Sequence, residues 1–299
     1  MTEQKVPKIS IGIPLYNEEK YIAQTLDNIL SQEGIADCEI IIADNASEDD
    51  SGNIIRSYIE KYPFIRYVRH DFNRGAASNW NYIVKESRGA YLVFAGAHDL
   101  WSDHYLEKLS EALDRNPKAV LASGLVQWID EDGREIESNS EYPTGFVDTS
   151  GRPLVARIHQ CLYMNPAAIY GMFRLDSLKK TRLCLNTLNC DVILLTELSL
   201  LGEFVVQPDV TWFWRQVRSK ETLDERLARY RSSLGVKKHW SHWRMVLYFI
   251  TILFRTRAKL TRKERLILTL GYVPNVFARF LMHLVYDIKK YLSFGQRRI

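Results

Sequence analysis

The first hundred residues alternate between short apolar runs and longer segments whose apolar residues recur at helical spacing. The apolar runs, which favour β-strands, cover residues 9–14, 39–43, 65–68 and 91–95. Residues 19–32, 54–59 and 75–87 have the helical spacing. Strands that alternate with helices join through right-handed crossovers into a parallel sheet. The sequence therefore predicts an α/β fold with a mostly parallel, doubly wound, Rossmann-like sheet flanked by helices.

The composition is that of an ordinary globular protein, with 46% hydrophobic and 25% charged residues among 299. The four cysteines form no C-x-x-C pair, so neither a zinc ribbon nor a disulfide framework is predicted. The N-terminus lacks the apolar segment of a secretory signal, and no apolar run approaches the roughly 20 residues that a membrane span needs. We expect a cytoplasmic protein that does not cross a bilayer.

Charge divides the chain into two parts. Residues 1–225 contain 23 basic and 34 acidic residues, a net charge of −11, whereas residues 226–299 contain 17 and 2, a net charge of +15. We therefore expect an acidic α/β domain over residues 1–225. A basic, amphipathic helical tail is expected over residues 226–299.

Two segments of the tail, beginning near Trp243 and Phe277, carry apolar residues at helical spacing. Between them lies a basic cluster that comprises Arg255, Arg257, Lys259, Arg262, Lys263 and Arg265. This arrangement favours in-plane contact with an anionic inner leaflet. The alternative is a helical pair that packs on the α/β domain and leaves its basic face in solvent. No nucleic-acid-binding motif accompanies the charge, so a nucleic-acid partner is not expected.

Polar residues follow the predicted strands at the points where the strands end. Pro14 and Tyr16 lie at the end of the first strand, and Asp44 at the end of the second. Because these ends share one edge of a parallel sheet, Asp44 could accept a nucleobase N–H while Tyr16 packs on the ring. A turn or helix-capping carboxylate is the alternative for Asp44. Asn73 and Arg74 precede the third helix, whose N-terminus suits a diphosphate.

The fourth strand runs into the sequence YLVFAGAHDLW at residues 91–101. Its apolar part ends at Gly96, Ala97, His98 and Asp99. A carboxylate at the mouth of a buried parallel strand is suited to hold a metal-bound diphosphate, and Asp99 is the candidate.

Several segments, in this order and spacing, resemble the inverting family 2 nucleotide-sugar glycosyltransferases with the GT-A fold. They are GIPLYNEEKYIAQTLDNIL, IIADNASEDDS, NRGAASNWN and the strand that ends in AHDLW. Two later segments, YGMFRLDSLKKTRL and CDVILLTELSLLGEF, resemble the acceptor-side half of bacterial members that build surface glycans. The resemblance covers roughly residues 8–215.

The resemblance implies roles for the residues at the strand ends. In the family, the residue that matches Asp44 binds the base, and those that match Pro14, Tyr16 and Glu18 line the nucleotide pocket. The acidic motif after the fourth strand binds a metal and usually reads D-x-D or D-D. Here only Asp99 supplies a carboxylate.

A divalent cation can still be held by one or two protein carboxylates, because the phosphates supply further oxygens. Asp99 is therefore the predicted ligand of Mg²⁺ or Mn²⁺. His98 could add a nitrogen ligand that favours Mn²⁺, or it could be a structural, hydrogen-bonded histidine.

By the same resemblance, Asp191 matches the base that deprotonates the acceptor hydroxyl. The alternative is a carboxylate in the first turn of a helix, stabilised by the helix dipole. Glu197 is the reserve candidate for the base. Arg215 and Arg218 could contact phosphate, or they could belong to a solvated basic loop.

These expectations combine into one functional hypothesis. The protein would move a sugar, with inversion, from a nucleotide diphosphate donor such as a UDP-sugar to a glycan or lipid-linked acceptor in surface polysaccharide assembly. It would act at the inner membrane face as a peripheral protein. The alternative is a degenerate, noncatalytic member that binds a nucleotide or a partner. A dehydrogenase is disfavoured, since no G-x-G-x-x-G follows the first strand. Residues 138–160 are expected to form a loop, either an acceptor-side lid or a surface connection.

Overall fold

A computed structural model describes residues 6–137, 148–163, 166–187, 190–217 and 241–271, together with positions 273, 274, 278 and 281. The strands in this part of the chain are β1 Ile9–Leu15, β2 Cys38–Asp44, β3 Ile65–Arg69, β4 Tyr91–Phe94, β5 Leu100–Trp101, β6 Ala119–Ile129, β7 Glu135–Ile136, β8 Met172–Arg174 and β9 Glu203–Arg215. The helices are α1 Ile22–Leu30, α2 Ser51–Lys61, α3 Ala76–Glu86, α4 Tyr105–Arg115, α5 Leu154–Tyr163, α6 Leu175–Leu178, α7 Cys190–Leu201, α8 Ser241–Arg255 and α9, residues 262–271.

The strands form one sheet in the order β3-β2-β1-β4-β8-β6-β9-β5, with β7 paired to β6. β1 runs parallel to β2 and β4, β2 to β3, and β6 to β9. β8 is antiparallel to β4 and β6, and β5 is antiparallel to β9. Most of the paired residues lie in the long parallel ladders. The predicted mostly parallel α/β sheet is therefore confirmed.

Helices cover both faces of the central strands, because successive side chains of a strand point to opposite sides. On β2, Ile40 and Ile42 belong to one apolar cluster, with α1, α2 and α4, while Ile41 belongs to the other, with α3 and α7. On β4, Val93 and Leu92 divide between the clusters in the same way. This double burial explains why these strands are continuous apolar runs.

The loop predicted over residues 138–160 is wrong for its last part, where α5 begins at Leu154. Pro153 stands directly before this helix, and its carbonyl accepts the N–H of Ala156. Proline is favoured at a helix start, since its fixed φ suits the first turn and it lacks an N–H that would go unpaired. Ile158 and Cys161 are buried on one side of the helix. Residues 138–147 lie outside the described part of the chain.

The first tail helix packs on the α/β domain. Ile252 and Leu253 of α8 and Leu268 of α9 join an apolar cluster with Val192 and Ile193 of α7. No helix within the described ranges has the length and apolar character that a membrane crossing would require. The helix predicted from Phe277 and the boundary at residue 225 fall largely outside the described residues, so both stay predictions.

A buried charge cluster fixes the edge of the sheet opposite the carboxyl ends of the parallel strands. Glu39 on β2 is 4% exposed. Its carboxylate accepts hydrogen bonds from the Ser10 hydroxyl at 2.7 Å and from the Arg88 N–H at 2.7 Å. Arg66 and Arg88 complete the cluster with guanidinium contacts of 3.3 and 2.9 Å to Glu39 Oε2. Burial alone would raise the pKa of Glu39, but the Ser10 and Arg88 donors bring it below its usual value.

We expect Glu39→Gln to lower the free energy of unfolding at pH 7 by about 2 kcal/mol, because it breaks a buried ion pair. A carboxyl whose folded pKa is depressed stabilises the fold above its unfolded pKa, about 4.3. That contribution is lost as the pH falls through the folded pKa, so the difference between variant and wild type should shrink below about pH 4. Urea unfolding across this range measures it. Glu86→Gln, which removes the half-buried partner of Arg66 alone, is the control and should cost under about 1 kcal/mol.

Candidate active site

Hydrogen bonds between loops fix the carboxyl edge of the first two strands. The Ser47 hydroxyl accepts the N–H of Asn17 at 3.0 Å, and the Asn17 side-chain oxygen accepts the N–H of Glu48 at 2.8 Å. Asn17 has a φ of 54° and Ala46 a φ of 64°, both in the left-handed region. The loops that carry Tyr16 and Asp44 are thus held against each other. Tyr16 is 40% exposed at this edge, while Pro14 pairs with Ala43 inside the sheet.

Asp44 ends β2 and is fully buried. Its Oδ1 accepts the Ser47 N–H at 2.7 Å, and its Oδ2 accepts the Tyr67 hydroxyl at 2.6 Å and an Arg69 N–H at 3.3 Å. Burial and the bond to Asp44 raise the pKa of Tyr67 to about 12, so this hydroxyl remains a donor. The turn-carboxylate interpretation is therefore observed. A nucleobase would reach Asp44 if the half-exposed Arg69 side chain moved aside.

Sequence reasoning did not identify the partners of Asp44. Tyr67 and Arg69 lie two residues apart on β3, so they share one face of the strand. The parallel register pairs Asp44 with Arg69 directly. This register, which the sequence pattern alone does not fix, brings the three side chains together.

Asn73 and Arg74 shape the turn that enters α3. Asn73 Oδ1 accepts the side-chain N–H of Asn45 at 2.7 Å and the N–H of Gly75 at 2.8 Å. The Arg74 N–H donates to Asn45 Oδ1 at 2.8 Å, while its guanidinium stacks over the Phe72 ring at 5.4 Å. Gly75 has a φ of 81°, which a residue with a side chain adopts only with strain. Arg74 is exposed beside the start of α3, where an anion is favoured.

The structure brings Glu18, His98 and Asp99 together across the ends of β1 and β4. His98 Nδ1 lies 3.1 Å from Glu18 Oε1, and His98 Nε2 lies 3.8 Å from Asp99 Oδ1. Asp99 is 3% exposed, and its Oδ1 accepts the Arg215 N–H at 2.9 Å. Its Oδ2 is buried without a hydrogen-bond partner among the described residues. Burial raises the pKa of Asp99, and Glu18 adds to this effect, whereas His98, the Arg215 N–H and the Trp212 indole N–H oppose it.

The residue types of this set suit a divalent cation, but their ligand atoms do not converge as they stand. Glu18 and Asp99 face different nitrogens of His98, and within the described part of the chain only Glu33, His104 and Glu107 bring three such atoms within 4.8 Å of one another. A buried carboxylate oxygen without a hydrogen-bond donor is costly unless a ligand satisfies it. Mg²⁺ and Mn²⁺ bind one or two protein carboxylates and take their remaining oxygen ligands from phosphate and water. An imidazole nitrogen is a further ligand that favours Mn²⁺. Glu18, predicted only to line the nucleotide pocket, therefore joins the predicted metal ligands His98 and Asp99.

Gly96 accounts for the missing second carboxylate of the motif. A Cβ atom at position 96 would lie 2.1 Å from Asp99 Oδ2, far inside van der Waals contact. The Asp99 carboxylate thus occupies the space that a side chain at position 96 would need. An acidic residue at position 96 and this placement of Asp99 exclude each other.

Arg215 is 2% exposed, so the solvated-loop interpretation is wrong for this residue. Its guanidinium also stacks over the Tyr21 ring at 4.9 Å. The guanidinium nitrogens donate to four protein oxygens, which are His98 O at 2.7 Å, Asp130 O at 3.2 Å, Glu131 O at 2.9 Å and Gln24 Oε1 at 2.8 Å. Arg215 therefore fixes the loop that carries His98 and Asp99. Arg218 lies outside the described residues.

Asp191 lies in the first turn of α7, where its Oδ1 accepts the N–H of Val192 at 2.8 Å. α7 leads through Gly202 into β9, which starts beside Ala119 at the amino edge of the sheet. Its 12 residues span about 18 Å at 1.5 Å per residue. Asp191 therefore lies about one helix length from the start of β9 at the amino edge.

Glu197, the reserve candidate, has a structural role. It is 2% exposed and accepts the Arg182 N–H at 3.0 Å and an Arg182 guanidinium N–H at 3.3 Å. Arg182 also donates to Thr251 Oγ1 and to the Tyr248 carbonyl on α8, at 3.0 and 3.2 Å. This buried ion pair links α7 to the tail.

Two further features lie next to this region. An open pocket of about 540 Å³ is lined by Asn17, Glu18, Glu19, Lys20, Tyr21, Glu48, Asp49, Glu131 and Val217. It reaches Glu18 but not Asp44 or Asp191, and its many carboxylates do not favour a bare diphosphate. Glu33, His104 and Glu107 gather within 4.8 Å of one another at the far end of α1, on the exposed surface. They are not part of the predicted metal site.

A curled, mostly parallel sheet with polar loops at its carboxyl edge is the architecture of the GT-A class. Two solved glycosyltransferase structures are similar to this chain. TarS of S. aureus, solved with UDP-GlcNAc, has a TM-score of 0.61 at 18% identity, with 92% of this chain and 71% of TarS covered. The mannosyltransferase PcManGT of Pyrobaculum calidifontis, solved with GDP-Man and Mn²⁺, has a TM-score of 0.55 at 17% identity, with 97% and 80% covered. At these identities the similarity shows the fold.

The family model described as glycosyl transferase family 2 matches residues 10–180, more than half of the chain. The chain therefore belongs to glycosyl transferase family 2, as its motifs predicted. The uncharacterised glycosyltransferase EpsJ of Bacillus subtilis is 32% identical over 119 residues, which cover 40% of this chain and 34% of EpsJ. The chain thus spans about a third of the length of curated relatives that it matches.

Proposed function

We propose that this protein is an inverting glycosyltransferase that moves a sugar from a UDP-sugar donor to a glycan or lipid-linked acceptor. The observation that carries the proposal is the contact of His98 with both Glu18 and Asp99, beyond the ends of β1 and β4. Asp44 ends the neighbouring strand β2, and Asp191 would complete the site. Sugar transfer from a nucleotide diphosphate needs three groups close together. They are a contact for the nucleobase, a positive charge for the diphosphate and a general base for the acceptor hydroxyl. Residues at the carboxyl edge of this sheet would meet the first two needs, and Asp191 the third.

The nucleotide would be held by residues from three loops. Asp44 would accept an N–H of the base once Arg69 swings outward, and Tyr16 would pack against the ring. Arg74 and the N-terminus of α3 would attract the diphosphate oxygens. Asn73 keeps this turn in place through its bonds to Asn45 and Gly75. Pro14 and Glu18 would complete the wall of the pocket.

Asp99, His98 and Glu18 would hold Mg²⁺ or Mn²⁺ together with the phosphates. A bound divalent cation acts as a Lewis acid that stabilises the negative charge developing on a diphosphate leaving group. The Arg215 side chain holds the His98–Asp99 loop in position by donating a hydrogen bond to the His98 carbonyl. PcManGT was solved in complex with GDP-Man and Mn²⁺.

Asp191 would act as the general base. Its carboxylate would take the proton from the acceptor hydroxyl as the oxygen attacks the anomeric carbon on the face opposite the diphosphate. The bond to the leaving oxygen breaks as the new glycosidic bond forms, so the configuration inverts. The start of α7 favours the ionised form that a base requires.

We place the enzyme in the cytoplasm at the inner face of the membrane, in the assembly of surface polysaccharide. The basic residues and exposed apolar side chains of the terminal helices support this location, and a lipid-linked acceptor would be present there. Nucleic acid is not proposed as a partner.

Calorimetric titration with UDP, with and without Mn²⁺, tests the proposal against the noncatalytic alternative. We expect wild-type protein to bind UDP more tightly when Mn²⁺ is present. Asp44→Asn should weaken binding by roughly tenfold, since one charged hydrogen bond to the base is lost. A screen of nucleotide sugars, with mass detection of released UDP, then identifies the donor.

Tyr67→Phe is the matched control, because it removes a neighbour of Asp44 while the carboxylate stays. It should retain most of the affinity. An affinity for UDP that is the same with and without Mn²⁺, together with no turnover of any donor, would favour a noncatalytic nucleotide-binding protein. Unchanged affinity in Asp44→Asn would remove Asp44 from the base site.

A further inference from the structure

The terminal helices expose large apolar side chains to solvent. Leu247 and Phe254 of α8 are 60% and 65% exposed. They lie seven residues apart and therefore on the same face of the helix. On α9, Leu266 and Leu270 are 59% and 68% exposed, and Ile267 is 41% exposed. A monomeric protein in water gains nothing from grouping such side chains on its surface.

The face of α9 is sharply divided. At 100° per residue, the exposed residues of the helix fall on one half of its circumference. That half carries Leu266, Ile267 and Leu270, flanked by Arg262 and Lys263. The other half carries the fully buried Leu268. That other half also carries Glu264, Arg265 and Thr269, so the large apolar side chains of α9 are concentrated on its outward half, which is exposed in the described part of the chain.

Positive charge surrounds the exposed apolar side chains. Arg255, Arg257 and Lys259 are exposed in the connection between α8 and α9, next to Arg262 and Lys263. Glu264 is the single acidic residue in the sequence of residues 241–271. Its carboxylate is occupied by the N–H and hydroxyl of Thr261, both at 2.7 Å, at the start of α9.

The inward side of the helices is firmly attached. Ile252 and Leu253 pack with Val192 and Ile193 of α7, and Arg182 donates from the Glu197 ion pair to two oxygens of α8. Arg265 donates to the Leu253 carbonyl at 2.7 Å, which joins α9 to the end of α8. The exposed face is therefore presented by a rigid support.

We propose that the outward face of α8 and α9, which we call the terminal face, binds an anionic lipid bilayer. The terminal face comprises Leu247, Phe254, Leu266, Ile267, Leu270 and the basic residues Arg255, Arg257, Lys259, Arg262 and Lys263. Apolar side chains in the plane of the interface, bordered by Lys and Arg, match the acyl boundary and the headgroup phosphates.

Membrane binding by the terminal face rests on the proposed function in one respect, since that function supplies the reason for it, a lipid-linked acceptor. Arg182 and Glu197 join α8 to α7, the helix whose first turn carries Asp191, so the terminal face is connected to the candidate base through hydrogen bonds. Membrane contact would then fix the orientation of the candidate base relative to the lipid surface.

Flotation of the purified full chain with vesicles tests the terminal face. We expect wild-type protein to float with vesicles of phosphatidylcholine containing about a third phosphatidylglycerol, and at least tenfold less with pure phosphatidylcholine. High salt should weaken the binding. Leu266→Ser with Leu270→Ser should lower the bound fraction at least tenfold, as should Lys259→Gln with Arg262→Gln and Lys263→Gln.

The matched control is Leu125→Ser with Val155→Ser, which removes two apolar side chains that are 41% and 39% exposed on the α/β domain. It should float as wild type does. Thermal unfolding and UDP titration of each variant show whether the fold and the nucleotide site are intact, so lost flotation with retained UDP binding concerns the terminal face alone. The proposal would be overturned if the floating fraction of the protein did not depend on lipid charge or did not change with these substitutions. So would self-association that Leu266→Ser with Leu270→Ser abolishes, since it would assign the face to a second copy.

Discussion

Asp191→Asn should lower the rate of sugar transfer by roughly 10²–10⁴-fold and leave the affinity for UDP unchanged. The amide has the same shape as the carboxylate but cannot take a proton from the acceptor hydroxyl. The expected loss falls on the chemical step, so kcat should drop while the KM for the donor changes little. Initial rates with the donor identified by screening, together with UDP titration, measure the two quantities.

The competing interpretation treats Asp191 as a carboxylate in the first turn of α7. It predicts a stability loss of about 0.3–1 kcal/mol and an unchanged rate. Asp176 offers a matched control, because it is an exposed carboxylate in the first turn of α6, which lies at the amino edge of the sheet. Asp176→Asn should leave transfer intact. Equal rates for the two variants would exclude Asp191 as the base.

Gly96→Ala should weaken Mn²⁺-dependent UDP binding and transfer by roughly 10–100-fold, although the glycine itself binds nothing. The added Cβ would lie 2.1 Å from Asp99 Oδ2, so the carboxylate must turn away and its bond to the Arg215 N–H is lost. Overpacking of this kind also costs about 1–3 kcal/mol of stability. Gly96→Asp, which adds a carboxylate to the motif, should be impaired as well.

Gly271→Ala is the control, because a Cβ there meets no atom within 4 Å. It should bind UDP as wild type does in the presence of Mn²⁺. Metal-dependent binding is the informative readout, since a variant that is merely less stable keeps it at low temperature. Full activity in Gly96→Asp would mean that the Asp99 carboxylate is free to leave its buried position and would contradict the site described above.

The alternation along the first hundred residues predicted much of the fold. β1 to β4 were recognisable because strands covered on both faces are continuous apolar runs, and α1 to α4 because their inward residues recur every three or four positions. The three residues of β8 stand in a segment, residues 171–178, whose pattern indicates a strand entering a short helix, but they are too few to show their place in the sheet. They lie between β4 and β6 only because the chain returns from α5, itself hidden in a segment rich in glycine and proline.

The candidate residues Asp44 and Asp99 could be proposed from the sequence because Asp44 ends β2 and Asp99 lies in the loop after β4. The contacts around them depend on register and long-range packing. Tyr67 and Arg69 reach Asp44 across the β2–β3 ladder, and Arg215 reaches the loop of Asp99 from 116 positions away along the chain. No local pattern marks such a guanidinium as buried rather than solvated.

The Arg182–Glu197 ion pair has a consequence for how this chain can be divided. Arg182 gives two of its hydrogen bonds to α8, so a shortened chain that ends before Ser241 would leave part of a buried cation without acceptors. Val192 and Ile193, the neighbours of Asp191, would lose their apolar cover at the same time. The terminal helices are thus an integral part of the molecule. Trimming them to obtain a smaller active fragment would remove the support of α7, the helix whose first turn carries Asp191.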